Sequence, residues 1–150
     1  MLNTPHLAVG MLIGKSVGNG WLAFFLGFLS HFILDAIPHW DGVDFRGRKL
    51  LRKKNLILIF DFILIFFILL ILLELGAFSF SNEHLPMIFG AMGGVFPDIF
   101  WIPYYFLGLR WPKQFFRFHG KIQIRLTAPL LGLLIQVVII SFSIWFIIKL

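Results

Sequence analysis

Three aspartates and one histidine lie inside or at the end of apolar stretches, where ionisable side chains are rare. Asp35, Asp61 and Asp98 each occupy such a stretch, and His31 precedes Asp35 by four residues. That spacing places both side chains on one helix face. Burying an ionisable side chain in a membrane costs about 2.5–3.5 kcal/mol on insertion scales, so these residues are functional candidates. Mixed imidazole and carboxylate donors suit zinc or another first-row divalent ion.

The surroundings of Asp35 and Asp98 each favour a cation. Asp35 lies near a helix carboxyl end because Pro38 follows it, and the helix dipole disfavours an anion there. A bound cation would relieve this penalty, and so would a Lys or Arg of the next loop. Asp98 ends the segment Gly93–Asp98, whose Gly and Pro residues weaken a helix. A cation site and a helix cap are both open interpretations of Asp98.

The composition is that of a membrane protein. Hydrophobic residues make up 59% of the 150 and charged residues 13%, whereas a soluble domain carries about 25% charged residues. The net charge of +6 is concentrated in two clusters beside apolar runs, which does not favour nucleic-acid binding. The absence of Cys excludes a disulfide framework and a thiolate metal site.

The apolar runs predict an all-α integral membrane bundle of four to five helices in a single transmembrane domain, 1–150. A spanning helix needs about 20 apolar residues. The runs are Leu7–Ile13, Trp21–Ile37, Leu56–Phe78, Met87–Leu109 and Leu126–Ile148. The first is short, and is either a half-helix or part of a re-entrant hairpin with the second. We expect the fourth helix to be broken at its Gly and Pro residues.

The basic clusters predict the topology. Loops 42–55 and 110–125 hold most of the Lys and Arg residues, so the positive-inside rule makes both cytoplasmic. The amino terminus is then inside and the carboxyl terminus outside. Although this topology depends on Lys and Arg alone, four of the five histidines and nearly all the aspartates fall on the cytoplasmic side. His84 alone falls on the other. The location of these histidines and aspartates on one side of the membrane favours a single site that contains them.

Three segments carry a resemblance to a known family. Thr4–His6, Ser30–Asp41 and Gly93–Asp98 resemble the bacterial inner-membrane family described as membrane-bound, metal-dependent hydrolases, which is similar in motif style to zinc-dependent phospholipase C. The family pattern has an early His, a Gly-x-x-x-Pro-Asp block and a His-x-x-x-Asp helix. Phe100 and Trp101 stand where the family commonly has a further acid or His. The resemblance implies an inner-membrane location and the metal-site residues His6, His31, Asp35 and Asp98.

Metal-assisted hydrolysis at the cytoplasmic interface is the main functional hypothesis. His119 is predicted as a further metal ligand, and Asp61 and His39 as catalytic candidates, each a general base or an additional ligand. Zinc is the expected metal, with manganese or iron as alternatives. The basic loops would hold the phosphate of a phosphoester or lipid-linked substrate among membrane lipids.

Two other hypotheses compete, a proton- or cation-coupled transporter subunit and a non-catalytic metal-binding scaffold. A transporter of this size would need to oligomerise. It would also need polar groups in both halves of the membrane, and the sequence places almost none in the outer half. An enclosed site therefore fits the sequence better than a conduction path.

Overall fold

The computed structural model describes residues 1–40, 56–100 and 113–150, and these residues form six α-helices and no strand. The all-α class is therefore confirmed. The predicted loop 42–55 lies outside the described residues, as do Pro103 and residues 110–112. The helices are α1 (Asn3–Val17), α2 (Gly20–Asp35), α3 (Leu56–Glu74), α4 (Leu85–Ile99), α5 (Lys113–Ile122) and α6 (Pro129–Lys149), with a short 3-10 turn at Asn82–His84.

The first two helices form a hairpin. Gly18 ends α1 in the left-handed conformation, with φ of 67°, and its N–H donates to the Gly14 carbonyl at 3.1 Å. Asn19 then begins α2, since its side chain accepts a hydrogen bond from the Leu22 N–H at 3.0 Å. A glycine stop followed by an asparagine cap reverses the chain within two residues. The short first run is thus one arm of a helical hairpin.

Helix α4 packs closely against both arms of this hairpin. A Cβ added at Gly90 would collide with the carbonyl oxygen of Gly10 on α1, and one added at Gly93 would collide with that of Phe24 on α2. The backbones approach because these positions have no side chains. Helix α4 continues unbroken through its glycines and contains Pro97 before ending. The expected break therefore does not occur at the glycines, which serve close packing instead.

An apolar core lies where α1, α3, α4 and α6 meet. Met11, Leu72, Met87 and Ile147 are each almost fully buried there. Helix α6 also packs against the segment that follows α2, because a Cβ at Gly132 would collide with the backbone nitrogen of Trp40. Helix α1 therefore contacts α3 and α6 as well as α4.

Large apolar side chains cover the outer faces of α3 and α6. More than half of the side-chain surface is exposed at Phe60, Phe62, Phe66, Phe67, Leu130, Val138, Phe142 and Trp145. Within the described ranges, Pro129–Lys149 is the helix that is long and apolar enough to cross a membrane, by length and composition. The helix Gly20–Asp35 is apolar but shorter.

Helix α5 lies within the segment that the sequence assigned to a basic loop. Its exposed Arg117 and Lys121 are four residues apart, while His119 is 1% exposed. This amphipathic pattern contains too few apolar residues to stand out as a spanning run. The helix matters because it carries His119 into the bundle.

Candidate metal centre

The carboxylate of Asp35 is the meeting point of histidines from three helices. Asp35 is the last residue of α2 and is fully buried. Its Oδ1 lies 3.3 Å from Nε2 of His6 on α1. Its Oδ2 lies 3.4 Å from Nε2 of His31 on α2 and 2.7 Å from Nε2 of His119 on α5. The predicted common face of His31 and Asp35 is confirmed.

Two overlapping groups of side chains have the spacing of metal ligands. His6, His31 and Asp98 form one group, and His31, Asp35 and His119 form the other, with the donor atoms of each group within 4.8 Å of one another. The groups share His31, and Asp98 Oδ1 lies 3.8 Å from its Nε2. The structure thus brings together all five residues that were predicted as ligands. The Asp98 side chain is 24% exposed and so marks the more accessible side of the cluster.

The tautomer of His31 is set by a backbone carbonyl. Its Nδ1 lies 2.8 Å from the carbonyl oxygen of Gly94, which can only accept, so Nδ1 carries the hydrogen. The Nε2 of this ring then faces the Asp35 carboxylate and the Nε2 of His119. A cation at this position could be bound by all three groups. A carbonyl that orients a ligating histidine in this way is a regular feature of metal sites.

His6 lacks the hydrogen bonds that a buried imidazole normally makes. The ring is fully buried, and neither of its nitrogens has a hydrogen-bond partner among the described residues. It stacks on the His31 ring at a centroid distance of 4.0 Å, with 21° between the planes. An unsatisfied buried polar group costs about 1–3 kcal/mol. A cation bound at Nε2 would satisfy that nitrogen, so these residues fit a divalent metal ion.

Helix α5 and the residue that follows it both reach the cluster. His119 Nε2 lies 3.0 Å from His31 Nε2, and Gln123 Nε2 donates to Asp35 Oδ2 at 3.2 Å. The amino group of Met1 also contacts Asp35 Oδ1. Sequence reasoning missed Gln123. Gln123 is the first residue after α5, and its N–H donates to the His119 carbonyl at 3.2 Å, so its place at the cluster depends on where α5 ends.

His39 lies beside the cluster, outside both groups. Its backbone is held next to the segment after α5, with its N–H 3.1 Å from the Ile124 carbonyl and its carbonyl 2.7 Å from the Leu126 N–H. The ring Nδ1 lies 2.9 Å from the Ile37 carbonyl, so Nδ1 carries the hydrogen and Nε2 can accept a proton. That Nε2 lies 4.0 Å from Asp35 Oδ1. This position is compatible with the predicted catalytic role.

Asp61 lies elsewhere. Although predicted as a catalytic candidate, it belongs to neither group and hydrogen-bonds with Asn3 and Thr4 at the start of α1. The structure therefore places it against the amino end of the helix that carries His6.

Comparison with family models, curated proteins and solved structures finds no match for this chain. The resemblance to membrane-bound, metal-dependent hydrolases stays a prediction from the motifs.

Proposed function

We propose that this protein is a membrane-embedded, metal-dependent hydrolase with its site at the cytoplasmic interface. The observation that carries the proposal is the convergence of His6, His31 and His119 on the buried Asp35 carboxylate. A cluster of this composition, with an orphaned imidazole and an oriented one, suits a divalent cation. Zinc is the first choice because it binds mixed imidazole and carboxylate sets, with manganese or iron as alternatives.

The proposal includes an integral membrane bundle of four to five helices in the cytoplasmic membrane of a bacterium. The exposed aromatic faces of α3 and α6 support it, because soluble monomers rarely expose apolar patches of that extent. The glycine contacts between α1 and α4 are typical of helix packing in lipid. Helices α1 and α2, with 15 and 16 residues, would each cross only part of a hydrocarbon core about 30 Å thick. Their far ends, with the site, would then lie near one interface.

The proposed chemistry is hydrolysis of a phosphoester or lipid-linked substrate. A divalent ion held by these residues would supply an activated water and polarise a phosphoryl oxygen. His39 is the proposed general base, because its Nε2 presents a proton-accepting lone pair beside Asp35. Asp98, the most exposed of the five predicted ligands, lies on the side from which a substrate would approach. Arg117 and Lys121 are exposed on the helix that carries His119, where they would attract a phosphate group.

A non-catalytic metal-binding scaffold is the alternative. It is favoured by the nearly complete burial of His6, His31, Asp35 and His119, because structural metal sites are closed, whereas catalytic sites keep an open position. The two proposed functions differ in whether the protein hydrolyses a substrate. Both predict a bound metal, but only the hydrolase predicts release of product from a phosphoester lipid.

The first test is the metal content of the detergent-purified protein, measured by elemental mass spectrometry. We expect one or two equivalents of zinc, manganese or iron in the wild type, and loss of the metal in His31→Ala and Asp35→Ala. His84→Ala is the matched control, since His84 lies in the 3-10 turn before α4 and outside both groups. A folded wild type that contains no metal and binds none on addition would contradict the proposal. A metal-loaded protein inactive on all phosphoester lipids would support the scaffold.

A further inference from the structure

The amino end of α1 is capped entirely by side chains from other helices. The first N–H groups of a helix have no acceptor within it, and the preceding Leu2 offers no side-chain cap. The Leu2 N–H donates to Gln136 Oε1 at 3.0 Å. The N–H groups of Asn3 and Thr4 donate to Asp61 at 2.7 and 3.1 Å. Pro5 follows and has no N–H, so every donor of the first turn is accounted for.

Among the described residues, the hydrogen-bond partners of the Asp61 carboxylate all belong to this helix end. Its Oδ2 accepts from the Asn3 N–H and, at 3.1 Å, from the Asn3 side-chain amide. Its Oδ1 accepts from the Thr4 N–H and from the Thr4 hydroxyl. Asp61 is fully buried. A helix amino terminus stabilises an anion through its dipole and its N–H groups, so the carboxylate needs no metal to balance it.

Gln136 ties the same helix end to the segment that follows α2. It is 2% exposed, and its amide donates to the carbonyls of Trp40 and Gly132 at 2.7 and 3.0 Å. Trp40 directly follows His39. One buried amide of α6 therefore joins the start of α1 to the segment that carries the proposed general base.

We propose that Asp61, assisted by Gln136, is a positioning residue that holds His6 in the metal site. This inference rests on the proposed function. His6 lies two residues after Thr4, its Nδ1 has no hydrogen-bond partner among the described residues, and its Nε2 makes only the 3.3 Å contact with Asp35 Oδ1. The position of its ring relative to Asp35 therefore depends on the backbone of α1, together with stacking against His31. Releasing the amino end would let the first turn fray and move the His6 imidazole away from Asp35.

The test uses Co²⁺ as the probe, because its visible spectrum reports the number and type of its ligands. Wild type, Asp61→Ala, His6→Ala and the double variant are purified in detergent, checked for helicity and titrated. Glu74→Ala, which removes an exposed acid from the same helix, is the matched control. We expect Asp61→Ala to weaken Co²⁺ binding by about 10–100-fold, as is typical when a residue that orients a metal ligand is removed. The visible spectrum should also shift towards that of His6→Ala. Glu74→Ala should match the wild type.

The double variant distinguishes positioning from general stabilisation. If Asp61 acts through His6, the double variant binds Co²⁺ as weakly as His6→Ala, with no further loss. Additive losses would overturn the inference, as would a wild-type spectrum and affinity in Asp61→Ala. If Asp61→Ala does not fold, the same measurements are made with Asp61→Asn, which keeps one acceptor oxygen. A folded wild type that binds no Co²⁺ would overturn the proposed function itself, and this inference with it.

Discussion

His119 Nε2 and Asp35 Oδ2 lie 2.7 Å apart, although 84 residues separate them in the chain. The contact joins α5 to the carboxyl end of α2, and the Ile124 N–H reinforces it by donating to the Asp35 backbone carbonyl at 3.1 Å. His119 thus contacts one oxygen of the buried carboxylate, while His6 lies next to the other.

Removal of His119 should weaken metal binding more than removal of its neighbour Gln123. His119 offers a ligand nitrogen, whereas Gln123 donates a hydrogen bond to Asp35 Oδ2. We expect His119→Ala to lose the metal in competition with a chelator, and Gln123→Ala to retain it with about 10-fold lower affinity. Chelator titration followed by elemental analysis measures both. Equal affinities in the two variants would contradict the assignment of His119 as a ligand.

Substitution of His39 should lower the turnover rate without lowering the metal content. The proposed general base lies outside both ligand groups, so His39→Gln should retain the bound metal. Loss of a general base typically lowers the rate about 10²–10⁴-fold, and we expect a decrease in kcat of this size on a phosphoester lipid. Metal content and product release are measured on the same preparation. If the metal is lost together with activity, His39 is a ligand instead.

The close contact of α1 and α4 should not tolerate a methyl group. A Cβ at Gly90 would meet the Gly10 carbonyl, and overpacking of this kind costs about 1–3 kcal/mol. We expect Gly90→Ala to lower the free energy of unfolding by at least that amount, measured by circular dichroism in detergent. Gly120→Ala is the control, because a Cβ there meets nothing within 4 Å. It should leave α5 unchanged or stabilise it, since alanine is the better helix former.

The exposed basic side chains of α5 should retain anionic lipid. Each such side chain near a membrane surface contributes about 1 kcal/mol to the attraction. We expect Arg117→Gln and Lys121→Gln together to reduce the phosphatidylglycerol retained by the detergent-solubilised protein, measured by native mass spectrometry. Retention of phosphatidylcholine should not change.

Lys149→Gln is the control for that experiment. It removes an exposed cation from the carboxyl end of α6. The assignment of α5 to an anionic lipid surface would be wrong if this substitution lowered phosphatidylglycerol retention as much as the pair on α5.

The sequence alone determined the features that depend on neighbouring residues. Apolar runs indicated the helices, since a helix with apolar side chains on all its faces is readable from composition. The four-residue spacing of His31 and Asp35 placed them on one face, because side chains four residues apart are neighbours on a helix surface. The ionisable residues within apolar runs identified the candidate site, because their burial is costly wherever the chain folds.

Only the tertiary structure decided how those residues are used. Asp35 and Asp61 have similar sequence surroundings, because each is a carboxylate within an apolar stretch. In the structure, imidazoles surround Asp35, whereas Asp61 caps the amino end of α1. The partners of both come from distant parts of the chain, and local spacing carries no information about them. The helical character of α5 was missed for a related reason, because its short aromatic face becomes stable only against the bundle. Contacts between distant parts of the chain therefore distinguish the candidate ligands from Asp61, which we propose positions His6.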